Sequence, residues 1–261
     1  MFYQRRENTW DALLVLDGVT FSIAPREFVS VLGPSGCGKT TLARIVAGIE
    51  TADQGDVLID GTKAGPPGNT RCLVFQNYGL FPWRSVLDNV CLGLEIRGLG
   101  RVERERQARQ YIELVGLTGF EKHYPHQISG GMQQRTGLAR ALSTEPRLLL
   151  MDEPFGAVDA QMRTLLQDEL LRICALTQTT VLFVTHSVEE AIYLSDRILI
   201  FSARPGRLVG EIAVDLPKPR YDFDARSDPR FLDIRREVTR LLAERTDYYG
   251  RAHAARVRLS S

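Results

Sequence analysis

No long apolar run occurs in the sequence. The longest, ALLVL at residues 12–16, has five residues, where a bilayer-spanning helix needs about 18 or more. No segment is therefore expected to cross a membrane. The opening MFYQRRENTW has no apolar stretch of the kind that marks a signal peptide, so the protein is expected to remain in the cytosol. An excess of one charge is also missing. Lys and Arg total 33 against 32 Asp and Glu, leaving a net charge of +1, and no strong field points to nucleic acid or acidic lipid. Cysteine is scarce, with four residues and no C-x-x-C pair. Cys37, Cys72, Cys91 and Cys174 read as reduced thiols rather than as a disulfide frame or a zinc site. Cys37 lies in a glycine-rich run, which makes it a candidate for alkylation as well as a spacer. His123 and His126, in HYPH, have no further ligands nearby and read as a polar loop. There is no internal repeat and no low-complexity segment.

What is present is an ordinary globular composition. The 261 residues are 44% hydrophobic and 25% charged, enough for one large domain or two small ones. The first 60 residues are rich in strand signals. VTFSI (19–23) alternates, EFVSVLG (27–33) runs into a glycine loop, and DVLIDG (56–61) ends in an Asp-Gly turn. Three short buried-strand runs follow later, RLLLMD (147–152), TVLFVTH (180–186) and RILIFS (197–202). Helical patterns at 157–176 and 188–194 separate them, and this alternation predicts a mostly parallel sheet. Residues 86–142 carry no strand signal and read as helices, one of them stopped by Gly116. Phe231, Ile234, Val238, Leu241 and Leu242 share one face of a C-terminal helix. The expected organisation is one domain over residues 1–220, with a helical insertion at about 84–142. The extension 221–261 is too short for a separate domain.

The run GPSGCGKTT comprises Gly33, Pro34, Ser35, Gly36, Cys37, Gly38, Lys39, Thr40 and Thr41. It follows a strand, opens a helix and fits the phosphate-loop pattern G-x-x-x-x-G-K-[ST]. Glycines let backbone N–H groups curl around phosphates, Lys39 adds a positive charge, and Thr40 offers a hydroxyl to Mg²⁺. LLLMDEP (148–154) supplies the other half: Asp152 is placed to hold the metal, and Glu153 can polarise a water for attack on the γ-phosphate. A chance glycine turn or a plain acidic strand exit would explain either run alone, but not both in this order.

A second anion site stands in ISGGMQQR. Ser129 reads as a helix cap, and Gly130 and Gly131 open the following helix, so its N-terminus can take an anion closely. It has no lysine of its own.

Together these motifs resemble the ATP-binding subunits of ABC transporters, over about residues 16–242. The resemblance implies an α/β fold: a P-loop nucleotide-binding domain with a mostly parallel core sheet, an N-terminal antiparallel β part and an inserted helical part. It implies an ATPase that uses ATP and Mg²⁺. It also implies a head-to-tail homodimer, in which Ser129, Gly130, Gly131, Met132 and Gln133 hold the γ-phosphate of the partner's ATP. Gln76, in VFQNYGLFPW, matches the glutamine that approaches Mg²⁺ and the attacking water. Asp159, in GAVDA, matches the aspartate that crosses the dimer interface, and His186, in VTHS, the histidine that contacts the γ-phosphate. Pro82 and Trp83 fall where such subunits touch an integral membrane permease. The nearest resemblance is to the nitrate, sulfonate and taurine importer group, through LFPWRSVLDNV, DEPFGAVDAQMR, RPGRLVGEIAVDLPKPR and DPRFLDIRREV. An importer of this kind works at the cytoplasmic face of the inner membrane, with an external solute-binding protein acting through the permease and no nucleic-acid partner. The rival reading is a soluble ABC ATPase detached from any transporter.

The chain departs from the family pattern in three places. Ile128 and Val158 replace leucines and stay apolar. Ser187 stands where aspartate is common. The opening lacks the strand that usually precedes the adenine-stacking aromatic. Tyr3 is the candidate for that ring, with Phe2 and Trp10 behind it, and Met1 is expected to lie inside a longer natural chain.

Overall fold

The computed structural model describes residues 2–3, 13–75, 78–156 and 159–257. The elements begin with β1 (Phe2–Tyr3), β2 (Leu13–Leu14), β3 (Phe28–Leu32), α1 (Lys39–Ala47), β4 (Leu58–Ile59), β5 (Thr62–Lys63) and β6 (Arg71–Val74). Next come α2 (Val86–Ile96), α3 (Arg101–Leu114), a 3-10 turn at Pro125–Gln127, α4 (Gly130–Leu142), β7 (Leu148–Asp152) and α5 (Ala160–Thr177). The series closes with β8 (Thr180–Thr185), α6 (Val188–Leu194), β9 (Arg197–Phe201), β10 (Leu208–Ala213) and α7 (Pro229–Val257). They fall into two compact units, residues 1–66 with 182–261 and residues 67–181.

In the first unit the strand order is β10-β9-β3-β8. β3 and β9 pair in parallel from Val29↔Arg197 to Leu32↔Ile200, and β10 runs antiparallel along β9. All five residues of β3 are buried, as are five of the six in β8, which fits strands covered on both faces. β4 and β5 form the hairpin expected at Asp60-Gly61, with both residues at positive φ (51° and 74°), the backbone that a tight two-residue turn requires. α7 starts on Pro229, whose missing N–H is no loss at a first helical position, and it buries Phe231 and Val238.

In the second unit β6 and β7 pair in parallel from Arg71↔Leu148 to Val74↔Met151, and α2, α3 and α4 pack on one another. Ser85 caps α2 by accepting from the Asp88 N–H at 3.1 Å. Asn89, on the inner face of α2, is fully buried. Its Oδ1 accepts from the Phe81 N–H at 2.8 Å, and its Nδ2 donates to the carbonyls of Phe81, Arg84 and Ser85 at 3.2, 3.0 and 2.9 Å. One amide side chain thus ties down the whole loop from Phe81 to Ser85.

The sequence expectations need correcting at five places. Residues 19–23 form no strand; the alternation persists as half-buried Val19, Phe21 and Ile23 against exposed Thr20 and Ser22, but no ladder among the described residues engages them. β6 was missed because it is four residues long and starts on an arginine. β10 was missed because Gly210 interrupts its pattern; a Cβ there would meet Leu241 Cδ1 of α7 at 3.3 Å. α5 starts at Ala160 rather than 157, because Asp159 takes the capping position. α7 runs to 29 residues, well past the face that marked it.

The glycine loop between β3 and α1 is braced by its own lysine and by a later turn. Lys39 folds back so that Nζ donates to the carbonyls of Gly33 and Pro34 at 2.8 and 3.1 Å. The Gly38 carbonyl accepts the Leu42 N–H at 2.8 Å. Gly206 lies against the Cys37 carbonyl so closely that a Cβ would stand 2.1 Å from that oxygen. Gly206 is itself fixed, donating to Val15 O at 2.8 Å and accepting from the Asp17 N–H at 3.0 Å. Cys37 is only 1% exposed, wedged near Gly33, which overturns its reading as an alkylation target. Burial raises its pKa against the opposing pull of Lys39. Burial also raises Cys72, takes Cys91 to about 11 and Cys174 to about 12.

Two outcomes follow from this packing. Gly206→Ala forces backbone against backbone and should cost about 1–3 kcal/mol, read as a lower midpoint in thermal denaturation; an unchanged midpoint would show that the loop yields freely. Because the thiolate is the reactive form, iodoacetamide at pH 7 should leave the folded chain unmodified and label four thiols after denaturation, as read by intact mass.

Candidate functional site

The loop of the first unit has the shape of an anion cradle. Gly36 and Gly38 take φ of +77° and +103°, conformations that side-chain-bearing residues rarely adopt. Ser35 and Gly36 are exposed at the rim, while Lys39 is 5% exposed. α1 begins at Lys39, so the positive end of its dipole lies at the loop. Thr40 and Thr41 sit half-buried in the helix's first turn. A cradle of this form, with a buried ammonium at its base, fits a polyphosphate.

His186 is exposed, directly after the end of β8. Ser187 next to it caps α6, its Oγ accepting from the Glu190 N–H at 3.3 Å. Thr185 Oγ1 donates to Glu190 Oε2 at 2.6 Å and accepts from the Ser187 N–H at 3.0 Å. Serine thus performs locally the capping that an aspartate would perform, without adding a charge.

In the second unit Asp152 ends β7 and Glu153 follows it, both half-buried. Glu153 has φ +47°, a left-handed backbone that costs a non-glycine residue about 1 kcal/mol or more.

Ser129 caps α4, its Oγ accepting from the Met132 N–H at 3.3 Å. Ser129 and Gly130 are exposed, Met132 is half-buried, and Gly131 is buried with its Cα beside Met162; a Cβ there would meet Sδ at 3.3 Å. Gln133 is turned inward, Nε2 donating to Pro125 O at 2.9 Å and Ile128 O at 3.4 Å. It holds the preceding turn rather than presenting an amide outward. Asp159, also exposed, caps α5 through the Met162 N–H at 3.0 Å. Met162 therefore links the two helix starts.

Trp83 is 71% exposed and meets Phe81 edge-on at 5.2 Å; Pro82 is exposed beside it. Tyr3 is described only through its backbone, which pairs with Leu13. Gln76 lies outside the described residues. The structural residues that sequence reasoning missed are Asn89 and Gly206. Asn89 had a signal: it falls on the helical face of Val86, Val90 and Leu94, where a polar residue must find internal partners. Gly206 had only a Pro-Gly turn.

The ABC transporter family model matches residues 16–156. An uncharacterised ABC transporter ATP-binding protein of Methanocaldococcus jannaschii is 49% identical over 229 residues, covering 88% of this chain and 84% of that protein. The taurine import ATP-binding protein TauB of Rhizobium johnstonii is 44% identical, with coverages of 89% and 90%. The nitrate import ATP-binding protein NrtC of Synechococcus elongatus is 42% identical over 88% of this chain and 36% of its own length. Among solved structures, a dimeric post-hydrolysis state of the ATP-binding cassette MJ0796 bound to ADP and Pi superposes with a TM-score of 0.70 at 30% identity, covering 82% of this chain and 95% of that one. Among the described residues no helix is long and apolar enough to cross a membrane. With a phosphate cradle, a strained carboxylate after a buried strand and a serine-glycine helix start in one chain, the sequence belongs to the ABC transporter family as an ATP-binding, ATP-hydrolysing cassette.

Proposed function

We propose that this chain is the motor subunit of an importer for small anionic or organic solutes of the nitrate, sulfonate or taurine type. It works as a homodimer on the cytoplasmic face of the cell membrane, beneath an integral permease served by an external solute-binding protein. The observation that carries this reading is the pairing of a complete phosphate cradle with an exposed serine-glycine helix start that has no lysine. The second is half a site, which makes sense when a second copy supplies the other half. Relatives named for taurine import, nitrate import and bicarbonate transport favour the importer class.

In this reading Gly33 to Thr41 wrap the phosphates of one ATP, and Lys39 carries the neutralising charge. Ser129, Gly130 and Gly131 meet the γ-phosphate of the partner's nucleotide, with Met132 and Gln133 supporting that turn and Asp159 at the interface. Thr40, Asp152 and Gln76 offer hydroxyl, carboxylate and amide oxygens, the hard donors that suit Mg²⁺ together with phosphate oxygens. The metal, when bound, neutralises charge on those oxygens. Glu153 orients or deprotonates the attacking water, and His186 contacts the γ-phosphate. Loss of that phosphate removes charge contacts across the dimer and lets it open. Pro82 and Trp83 are the permease anchor: a large exposed aromatic, on a loop that Asn89 holds rigid, suits a partner helix.

Glu153→Gln should bind ATP, hydrolyse it at least a hundredfold more slowly and accumulate as a dimer, measured by phosphate release and size-exclusion chromatography. Near-normal turnover would remove Glu153 from this role. The test of the whole reading is purification of the tagged chain from membranes in mild detergent, with companions identified by mass spectrometry. A stoichiometric multi-span permease is expected; soluble companions alone would move the chain to the detached ATPases.

A further inference from the structure

The short hairpin turn between β9 and β10 does more than close two strands. It is internally locked: Ser202 Oγ donates to Pro205 O at 3.0 Å and accepts from the Arg207 N–H at 3.1 Å, and the Ser202 N–H donates to Arg207 O at 3.0 Å. Arg207 also holds Asp17 through Nε at 2.8 Å. Within this fixed turn Arg204 reaches the phosphate loop. Its Nε donates to the Gly36 carbonyl at 3.2 Å, and its Nη2 lies 3.6 Å from the position a Cβ of Gly36 would occupy. The guanidinium is exposed and has no carboxylate partner among the described residues. Other arginines of this chain also hold backbone carbonyls, Arg97 that of Thr144 and Arg140 those of Tyr78 and Gly79; Arg204 differs in that the carbonyl it holds belongs to the phosphate loop.

The peptide plane gives that contact its reach. A trans peptide points its C=O and N–H in opposite directions. Holding the Gly36 carbonyl outward therefore sets the direction of the Cys37 N–H. That N–H makes only a long bond of 3.3 Å to Pro34 O within the loop, so it is open to a better acceptor. The neighbouring carbonyls are restrained too, Gly33 and Pro34 by Lys39 and Cys37 by the close approach of Gly206. Arg204 is the only one of these restraints that is both solvent-exposed and charged. Its charge is felt inside the loop, where it opposes the burial that raises the Cys37 thiol.

We propose that Arg204 is a positioning residue for nucleotide: by fixing the Gly36–Cys37 peptide from the outer side, it presets the loop's N–H groups for the phosphates. This rests on the reading of residues 33–41 as the ATP cradle. Preorganisation of this kind lowers the ordering cost of binding rather than adding a ligand contact.

The test is calorimetric titration of the 261-residue chain with Mg²⁺ and ADP, which binds without turnover. Arg204→Gln should bind roughly fivefold more weakly, the scale of one solvent-exposed, charge-assisted hydrogen bond. Arg204→Lys keeps the charge but loses the rigid planar fork, and should remain at least twofold weaker than the native chain. In steady-state hydrolysis the Gln variant should raise KM for ATP by more than it lowers kcat, a split that general loss of folded protein would not produce. Arg236→Gln, which removes an equal charge on α7, should bind as the native chain does. Affinity within twofold of native in both Arg204 variants overturns the proposal, and so does full recovery in Arg204→Lys, which would assign the effect to charge alone. Lys39→Ala separates the two levels: if it too binds normally, the cradle reading fails and takes this proposal with it.

Discussion

The arrangement depends on the fixed opposition of C=O and N–H in each peptide unit. A loop can present several N–H groups to an anion only if its carbonyls are turned away and kept there. Here the loop's carbonyls are held from more than one direction. A lysine ammonium holds two carbonyls, a guanidinium holds a third, and a glycine packs on a fourth. The residues that supply them come from the loop's own helix and from a hairpin about 170 positions later. Much of the first unit can be read as the support that keeps these groups in place: buried β3 delivers the loop, β9 lies beside β3, and the turn to β10 returns to the loop's back.

The same logic explains which parts were legible beforehand. Runs of four apolar residues between polar turns announced β7, β8 and β9, and β3 was nearly as plain, its apolar run broken only by Ser30, which is buried against Ser195. The helix at 188–194 and the Asp60-Gly61 turn were equally plain, each having a single strong local cause. Residues 19–23 show the limit of such reasoning. Their side chains do alternate between half-buried and exposed, yet alternation describes a surface, whereas a strand requires a partner. β6 and β10 failed for the opposite reason: both have partners, β7 and β9, but too little pattern of their own.

The functional positions were legible to the extent that chemistry fixes their order. The cradle, the acidic pair and the serine-glycine turn each carry a local requirement that few other sequences meet. What could not be read was the support around them. Asn89 looks like any polar helix residue until its carbonyl partners are seen, and Gly206 like any turn glycine until Cys37 is found against it. Cys37 was misjudged because position in a loop says nothing about whether a side chain faces in or out.

Met162 has a role that its side chain alone would not suggest. Its backbone N–H is the group that Asp159 caps, and its sulfur fills the space that the missing Cβ of Gly131 leaves open. The first turn of α4 and the first turn of α5 are therefore keyed together at one residue. A side chain larger than hydrogen at position 131 would have to displace the Met162 thioether, and with it the residue whose N–H Asp159 caps.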